Sequence, residues 1–277
     1  MQVDAVKPVD VDKLLDALTA QNPNTGRPAS RQTLMDVRST ASRIFEYAID
    51  AELIKRNPAR GREISKYAPR RFRRALTSAE QQLIINMPHR ARAGALVMML
   101  AGLRRGELIP LKWSDIDFDG LKLTVDKSVY CIGNQFVVKS GVKNGTWGRV
   151  VDIPIDLVLQ LQVARQIATS DYVCCRSDGS MHSLMSWRRM WASYKLALCN
   201  QPGAADTGIQ EITAHYLRHT YATLLYTSGV DVLTASKLLG HSNIKTTIAI
   251  YTHLDDVMLS KSVDKLDSFV SGKLFKE

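Results

Sequence analysis

The spacing of apolar residues along this chain changes period twice, and that alternation limits its fold more than any other feature. Within residues 30–56 the positions Leu34, Val37, Ala41, Ile44, Phe45, Ala48 and Ile49 return at three and four, behind a capping Ser30 and ahead of a terminating Asn57-Pro58. A second helix is announced by Thr77-Ser78-Ala79-Glu80, a capping-box pattern leading into Leu83, Ile84 and Ile85, and an apolar helix follows and ends near Leu103. The texture then switches to short runs, among them Val129-Tyr130-Cys131-Ile132, Phe136-Val137-Val138 and Val150-Val151-Asp152-Ile153. The turn pairs Asp119-Gly120, Gly133-Asn134 and Asn144-Gly145 separate them, which predicts a small antiparallel sheet of three or four strands. From Asp156 the helical period resumes over about 156–168, 183–199, 213–228, 231–239 and 243–251, with Gly229 and Gly240 as terminators and a tail helix from about 255. Helices, sheet, helices is an α+β order, mainly helical in the larger domain and preceded by a small all-helical segment.

With 277 residues, 45% of them apolar, the chain can bury a substantial core and divide into a small and a larger domain. Its charge is lopsided: 37 Lys and Arg against 27 Asp and Glu leave +10. A polyanion is the partner such a balance suggests. Residues 55–74 concentrate the excess, with Lys55, Arg56, Arg60, Arg62, Lys66, Arg70, Arg71, Arg73 and Arg74 against the single acid Glu63. A boundary is expected in this run, with a domain at 1–66, a linker at 67–76 and the larger domain at 77–277. Arg70, Arg71, Arg73 and Arg74 are the candidate DNA-binding residues, laid along a phosphate backbone.

The apolar stretch 93–103 is about half the roughly 20 residues a bilayer span needs. The first twenty residues, with Asp4, Asp10, Asp12 and Asp16, lack the apolar region of a signal peptide. Cys131, Cys174, Cys175 and Cys199 have no disulfide or zinc spacing and are expected to be reduced packing residues of a cytoplasmic protein. Met98-Met99 and the pair Trp187 and Trp191 suit core positions.

Three stretches gather the residue types that phosphate chemistry uses. They are Gly102-Leu103-Arg104-Arg105-Gly106-Glu107-Leu108, then His215-Tyr216-Leu217-Arg218-His219, then Leu239-Gly240-His241-Ser242 with Tyr251 ten residues beyond His241. The hairpin turn Lys143-Asn144-Gly145 lies between the first two. Singly, each has a structural explanation: an arginine capping a helix, a packed histidine, a core tyrosine. A metal is a rival use for His215 and His219, four apart on a helix with His241 or His253 as a third ligand. No glutamate follows His215, and Arg218 beside the pair repels a divalent cation, so no metal or other cofactor is expected.

In that order the set resembles the tyrosine recombinase (phage integrase) family over roughly residues 75–260. Leu111-Lys112-Trp113-Ser114-Asp115-Ile116 extends the likeness of the first stretch to the family's first arginine box. The resemblance implies a site-specific recombinase, a DNA strand transferase that works through a 3′-phosphotyrosine without metal or ATP. It implies Arg104 and Arg218 as clamps on the scissile phosphate, their planar forks matching its oxygens. Tyr251 takes the nucleophile's place, His215 moves a proton, and His241 donates to a phosphoryl oxygen. Lys143, on the lysine-turn-arginine-strand pattern that runs through Arg149 to Ile153-Pro154, protonates the leaving oxygen, with Lys139 as its competitor. Glu107 orients an arginine.

Residues 1–66 resemble part of the family's core-binding domain, which closes on the duplex face opposite the catalytic domain. They are fewer than a complete one, as in a truncated or short member. The implied partners are double-stranded DNA, a homotetramer on DNA that is a monomer or weak oligomer when free, and DNA-bending accessory proteins, with no membrane. Leu259, Val263, Leu266 and Val270 form a stripe on the tail helix that docks on a neighbour or on its own domain. A catalytically silent DNA-binding protein and a type IB topoisomerase are the alternative functions.

Overall fold

The computed structural model describes residues 2–69, 74–133, 135–141, 148–241 and 243–252. The chain divides into two compact units, Met1–Arg73 and Arg74–Glu277.

The first unit is built on α1 (Pro8–Ala20) and α2 (Arg31–Asp50). Pro8 opens α1 at the position where its missing N–H costs nothing, and the Lys7 N–H donates to Asp10 Oδ2 at 2.9 Å. Ser30 caps α2 by accepting from the Thr33 N–H. That helix ends at Asp50, short of the expected 56, because the chain turns back at Glu52 (φ 59°) and the Leu53 N–H returns to the Ala48 carbonyl. The basic run is not a tether from residue 55 onward. Ala59 and Ala68 are buried with Val11, Leu15, Leu34 and Phe45, and Arg62 pairs with Asp12 at 3.2 Å. Arg31 and Arg38 donate to the Ser65 and Arg62 carbonyls at 3.1 and 2.7 Å. Small apolar residues between the arginines let this stretch close the unit's core, which charge counting does not reveal. Arg70, Arg71 and Arg73 lie outside the described residues.

The second unit starts from an ion pair. Arg74 donates to both oxygens of Glu80 at 2.5 and 2.6 Å, and the fully buried Glu80 carboxylate also accepts the Thr77 and Gly208 N–H groups. Thr77 and Glu80 form the expected reciprocal cap of α3 (Ser78–Asn86). Behind it α4 (Arg92–Leu100) runs through the core with Met98 and Met99 fully buried. After the four-residue α5 (Arg105–Leu108), β1 (Ile116–Asp117), β2 (Lys122–Val125) and β5 (Arg149–Asp152) form an antiparallel sheet in the order β1-β2-β5. Leu123 opposes both Ile116 and Val151, and all three face the core.

The strands between them do not join that sheet, as a single sheet would require. Instead β3 (Lys127–Ile132) and β4 (Gln135–Ser140) pair only with each other, in register from Lys127↔Ser140 to Ile132↔Gln135. The chain leaves the sheet at Asp126, whose carbonyl accepts the Gly141 N–H, so β2 takes β5 as its neighbour. The ribbon is half exposed: Val129 and Phe136 meet the core, while Tyr130, Ile132 and Val138 face solvent.

Among the described residues the α-helices that follow are α6 (Ile155–Gln166), α7 (Leu184–Cys199), α8 (Ala214–Thr227), α9 (Val232–Leu239) and α10 (Ile244–Tyr251). Trp187 is buried and stacks on the partly buried Trp191 at 5.8 Å. All four cysteines are free, but only Cys174 is buried, and Cys131 is exposed on the ribbon. The tail stripe from Leu259 to Val270 lies outside the described residues. Among the described residues no helix is long and apolar enough to cross a membrane.

The hydrogen bonds from Arg74 outweigh burial and hold the Glu80 carboxyl at about 2, below its ordinary 4.5. A carboxyl lowered on folding adds stability that is complete above about 4.5 and is lost as pH falls toward about 2. Glu80→Gln is expected to lower unfolding free energy by about 1.5–3 kcal/mol at pH 7, and Thr77→Ala by about 1. Urea titrations should show the Glu80→Gln deficit shrinking below pH 4.5 while that of Thr77→Ala stays.

Candidate phosphate-binding site

Two glycines fix where the polar groups of the second unit converge. Gly102 ends the chain's passage out of α4 at φ 68°, and a Cβ there would lie 2.2 Å from the Tyr221 ring. Gly240 ends α9 at φ 64°, and a Cβ there would lie 2.8 Å from Arg149 Nη1. Both positions therefore need glycine for conformation and for space. Their carbonyls then point at arginines: Arg218 Nη1 donates to Gly102 O, and Arg104 Nη2 donates to Gly240 O at 2.7 Å. Arg218 Nη2 reaches the Leu239 carbonyl at 2.5 Å.

Glu107 ties these segments together. It stands on α5, whose first turn it caps by accepting the Arg104 N–H at 2.8 Å, and it accepts Arg104 Nη1 at 2.8 Å. From β5, Arg149 delivers a two-pronged contact, Nη1 to Oε1 at 2.9 Å and Nη2 to Oε2 at 2.8 Å. Arg218 Nη1 stands 4.0 Å from the same carboxylate. Burial alone would raise the Glu107 carboxyl, but the hydrogen bonds and charge of Arg149, then the N–H and charge of Arg104, hold it at about 2. Burial, and next the charge of Arg104, bring Arg218 down to about 9, so it stays cationic at neutral pH. Three guanidiniums on one carboxylate leave two positive charges in a partly water-excluded place, which suits an anion with several oxygens.

His241 follows Gly240 directly. Its Nδ1 lies 2.8 Å from the hydroxyl of the buried Thr247, and its backbone N–H donates to Ser236 O. Burial first, then Arg218, Arg104 and Arg149, lower it to about 4, so at pH 7 the imidazole is neutral. With Thr247 at Nδ1, Nε2 is the nitrogen left to meet a ligand.

Arg104, Arg218 and His241 are thus brought together. His215 is exposed on the first turn of α8, three residues before Arg218, and His219 is half-buried on the same helix. Lys139 is exposed on β4 opposite Ser128, and Lys143 lies outside the described residues. Arg74 is committed to Glu80. Tyr251, the last residue of α10, donates to Val230 O at 3.5 Å and packs on Tyr226 at 4.6 Å. Burial and then the negative charge of Asp231 raise its phenol to about 12. Arg149 was not singled out by its residue type or spacing. Its only signal was its place after the turn in the lysine-to-strand pattern, because its partner lies 42 positions away. Among the described residues no three His, Cys, Asp or Glu side chains are grouped to hold a metal ion.

Residues 73–258 match the model of the phage integrase family. A XerC-like tyrosine recombinase of Caldanaerobacter subterraneus subsp. tengcongensis is 26% identical, taking in 96% of this chain and 72% of that protein. Tyrosine recombinase XerC of the same organism is 30% identical over 96% of this chain and 70% of its own length. The ICEBs1 integrase of Bacillus subtilis is 26% identical over 87% and 67%. Among solved structures, the Tn1549 transposon integrase in complex with a circular intermediate DNA superposes with a TM-score of 0.75 at 18% identity, covering 95% of this chain and 86% of that one. A lambda integrase dimer bound to a COC′ core site gives 0.63 at 20%, covering 91% and 81%.

The glycine geometry yields a graded test. Gly229, at φ 80° with open space around it, should tolerate Ala at a backbone cost of roughly 1–2 kcal/mol and keep its affinity for sulfate, a probe whose charge is constant near neutrality. Gly102→Ala and Gly240→Ala should cost more and weaken sulfate binding as well, as read by thermal unfolding and calorimetric titration.

Proposed function

The chain belongs to the phage integrase family, whose tyrosine recombinases are DNA strand transferases, and from that premise we propose that it cleaves and rejoins DNA through a 3′-phosphotyrosine on Tyr251. The observation that carries this reading is the convergence of Arg104 and Arg218 with the neutral His241 around buried Glu107. Its net charge and fork geometry suit a phosphodiester whose non-bridging oxygens gain charge during attack. Arg104 and Arg218 hold those oxygens, and His241 donates to one of them through Nε2.

The Tyr251 oxygen attacks phosphorus, and the bond to the 5′ oxygen breaks. The phenol's proton passes to His215, and Lys143 protonates the leaving 5′ oxygen. A phenol raised to about 12 is protonated at neutral pH, which is why it needs both a base and the neighbouring cations. Tyr251 starts from the Val230 carbonyl, so its approach to the arginines belongs to the DNA-bound state. Attack by a 5′ hydroxyl reverses the step with little change in bond energy, which dispenses with ATP. Guanidinium charge does the work that a metal ion does in other phosphoryl transfers.

Double-stranded DNA is the partner this reading assigns, in the cytoplasm, with four protomers acting on two duplexes and bending proteins assisting. Arg70, Arg71 and Arg73 supply phosphate contacts, whereas Arg74 is taken up by Glu80.

Tyr251→Phe should bind candidate duplexes nearly as wild type yet give no SDS-resistant adduct on a nicked substrate; an adduct in that variant removes Tyr251 from its role. Neutralising Arg70, Arg71 and Arg73 together should weaken binding to all sequences and flatten the salt dependence by about 0.9 per lost phosphate contact. An unchanged slope means these arginines do not touch the backbone.

A further inference from the structure

Arg149 is the cation of the cluster most fully committed to Glu107. Its side chain is 15% exposed, between 7% for Arg218 and 38% for Arg104. Both terminal nitrogens go to Glu107, its Nε is buried without a partner among the described residues, and its guanidinium fills the space that a Cβ on Gly240 would take. Arg218 is next in line for the same carboxylate, 4.0 Å from Oε2, yet its terminal nitrogens go to the Gly102 and Leu239 carbonyls. A carboxylate this buried needs a full cationic partner. Were Arg149 absent, Glu107 would keep Arg104 and also draw in Arg218, so the surplus positive charge would be halved and both guanidiniums would be engaged by a group of their own site.

We infer that Arg149 is a positioning residue that occupies Glu107 and thereby keeps Arg104 and Arg218 in place and available to a phosphate. This rests on the reading that these two arginines hold the phosphate. It also gives β5 a task in the site: Arg149 stands six residues after Lys143, so the strand that anchors the charge balance follows the lysine closely in sequence.

The test is a charge-compensation cycle with sulfate as probe, read by calorimetric titration on the full chain. Arg149→Gln should lower sulfate affinity at least tenfold. Arg149→Lys, which restores the charge without the fork, should recover to within about threefold of wild type. The decisive variant is Glu107→Gln/Arg149→Gln, in which neither buried charge remains. It should also return to within about threefold of wild type, because the carboxylate that would capture Arg218 is gone. If the double variant binds sulfate no better than Arg149→Gln, or if Arg149→Gln binds it normally, the inference fails. Should Arg149→Gln not fold, the double variant and Arg149→Lys decide alone. Adduct formation by the wild type on nicked DNA is scored separately. Intact compensation with no adduct leaves the role of Arg149 standing and overturns the phosphotyrosine reading instead.

Discussion

One buried carboxylate organises the second unit. Glu107 receives the cap of its own helix, a guanidinium from the residue that opens that helix and a second guanidinium from β5. A third, from α8, stands at the edge of contact. Such an arrangement is stable only as a whole, because removing either sign from a water-poor place strands the other at a cost of about 3–5 kcal/mol. Elements far apart in sequence are thereby held to one geometry by electrostatics, while the apolar core beneath, with Leu103, Leu108, Leu123, Val151 and Leu217, sets only their approximate distance.

Glu80 repeats the device on a smaller scale at the start of the same unit, where it joins Arg74, the cap of α3 and the Gly208 backbone. The two carboxylates differ in what they leave over. Arg74 meets Glu80 one to one, whereas Glu107 is outnumbered. The surplus charge that composition announces for the whole chain is thus, at one place, a property of a largely buried cluster and not of a solvated surface.

Local rules carried much of this into the sequence. Thr77 with Glu80, Ser30, Gly229 and Gly240 mark helix ends through short-range hydrogen bonds and backbone freedom, and the helices of the second unit lie close to where these signals put them. Arg104, Arg218 and His241 were recognisable because each sits in a dense local motif. What stayed hidden depends on partners distant in sequence. The separation of β3 and β4 from the sheet follows from β2 choosing β5, and Arg149 acquires meaning only through a carboxylate 42 residues away. The first helix escaped notice although Pro8, Val11 and Leu15 carried its start and its buried face. In the basic stretch after residue 55 the charges are conspicuous, and the alanines that bury it are not.

The place of Tyr251 in α10 has its own consequence. Thr247, one turn earlier, is buried and secures the His241 ring, so the front of the helix is bound into the site. Tyr251 closes the helix, with a long hydrogen bond to the Val230 carbonyl and a ring contact with Tyr226. The final turn of this short helix thus carries the phenol on contacts separate from those that secure the imidazole at its start.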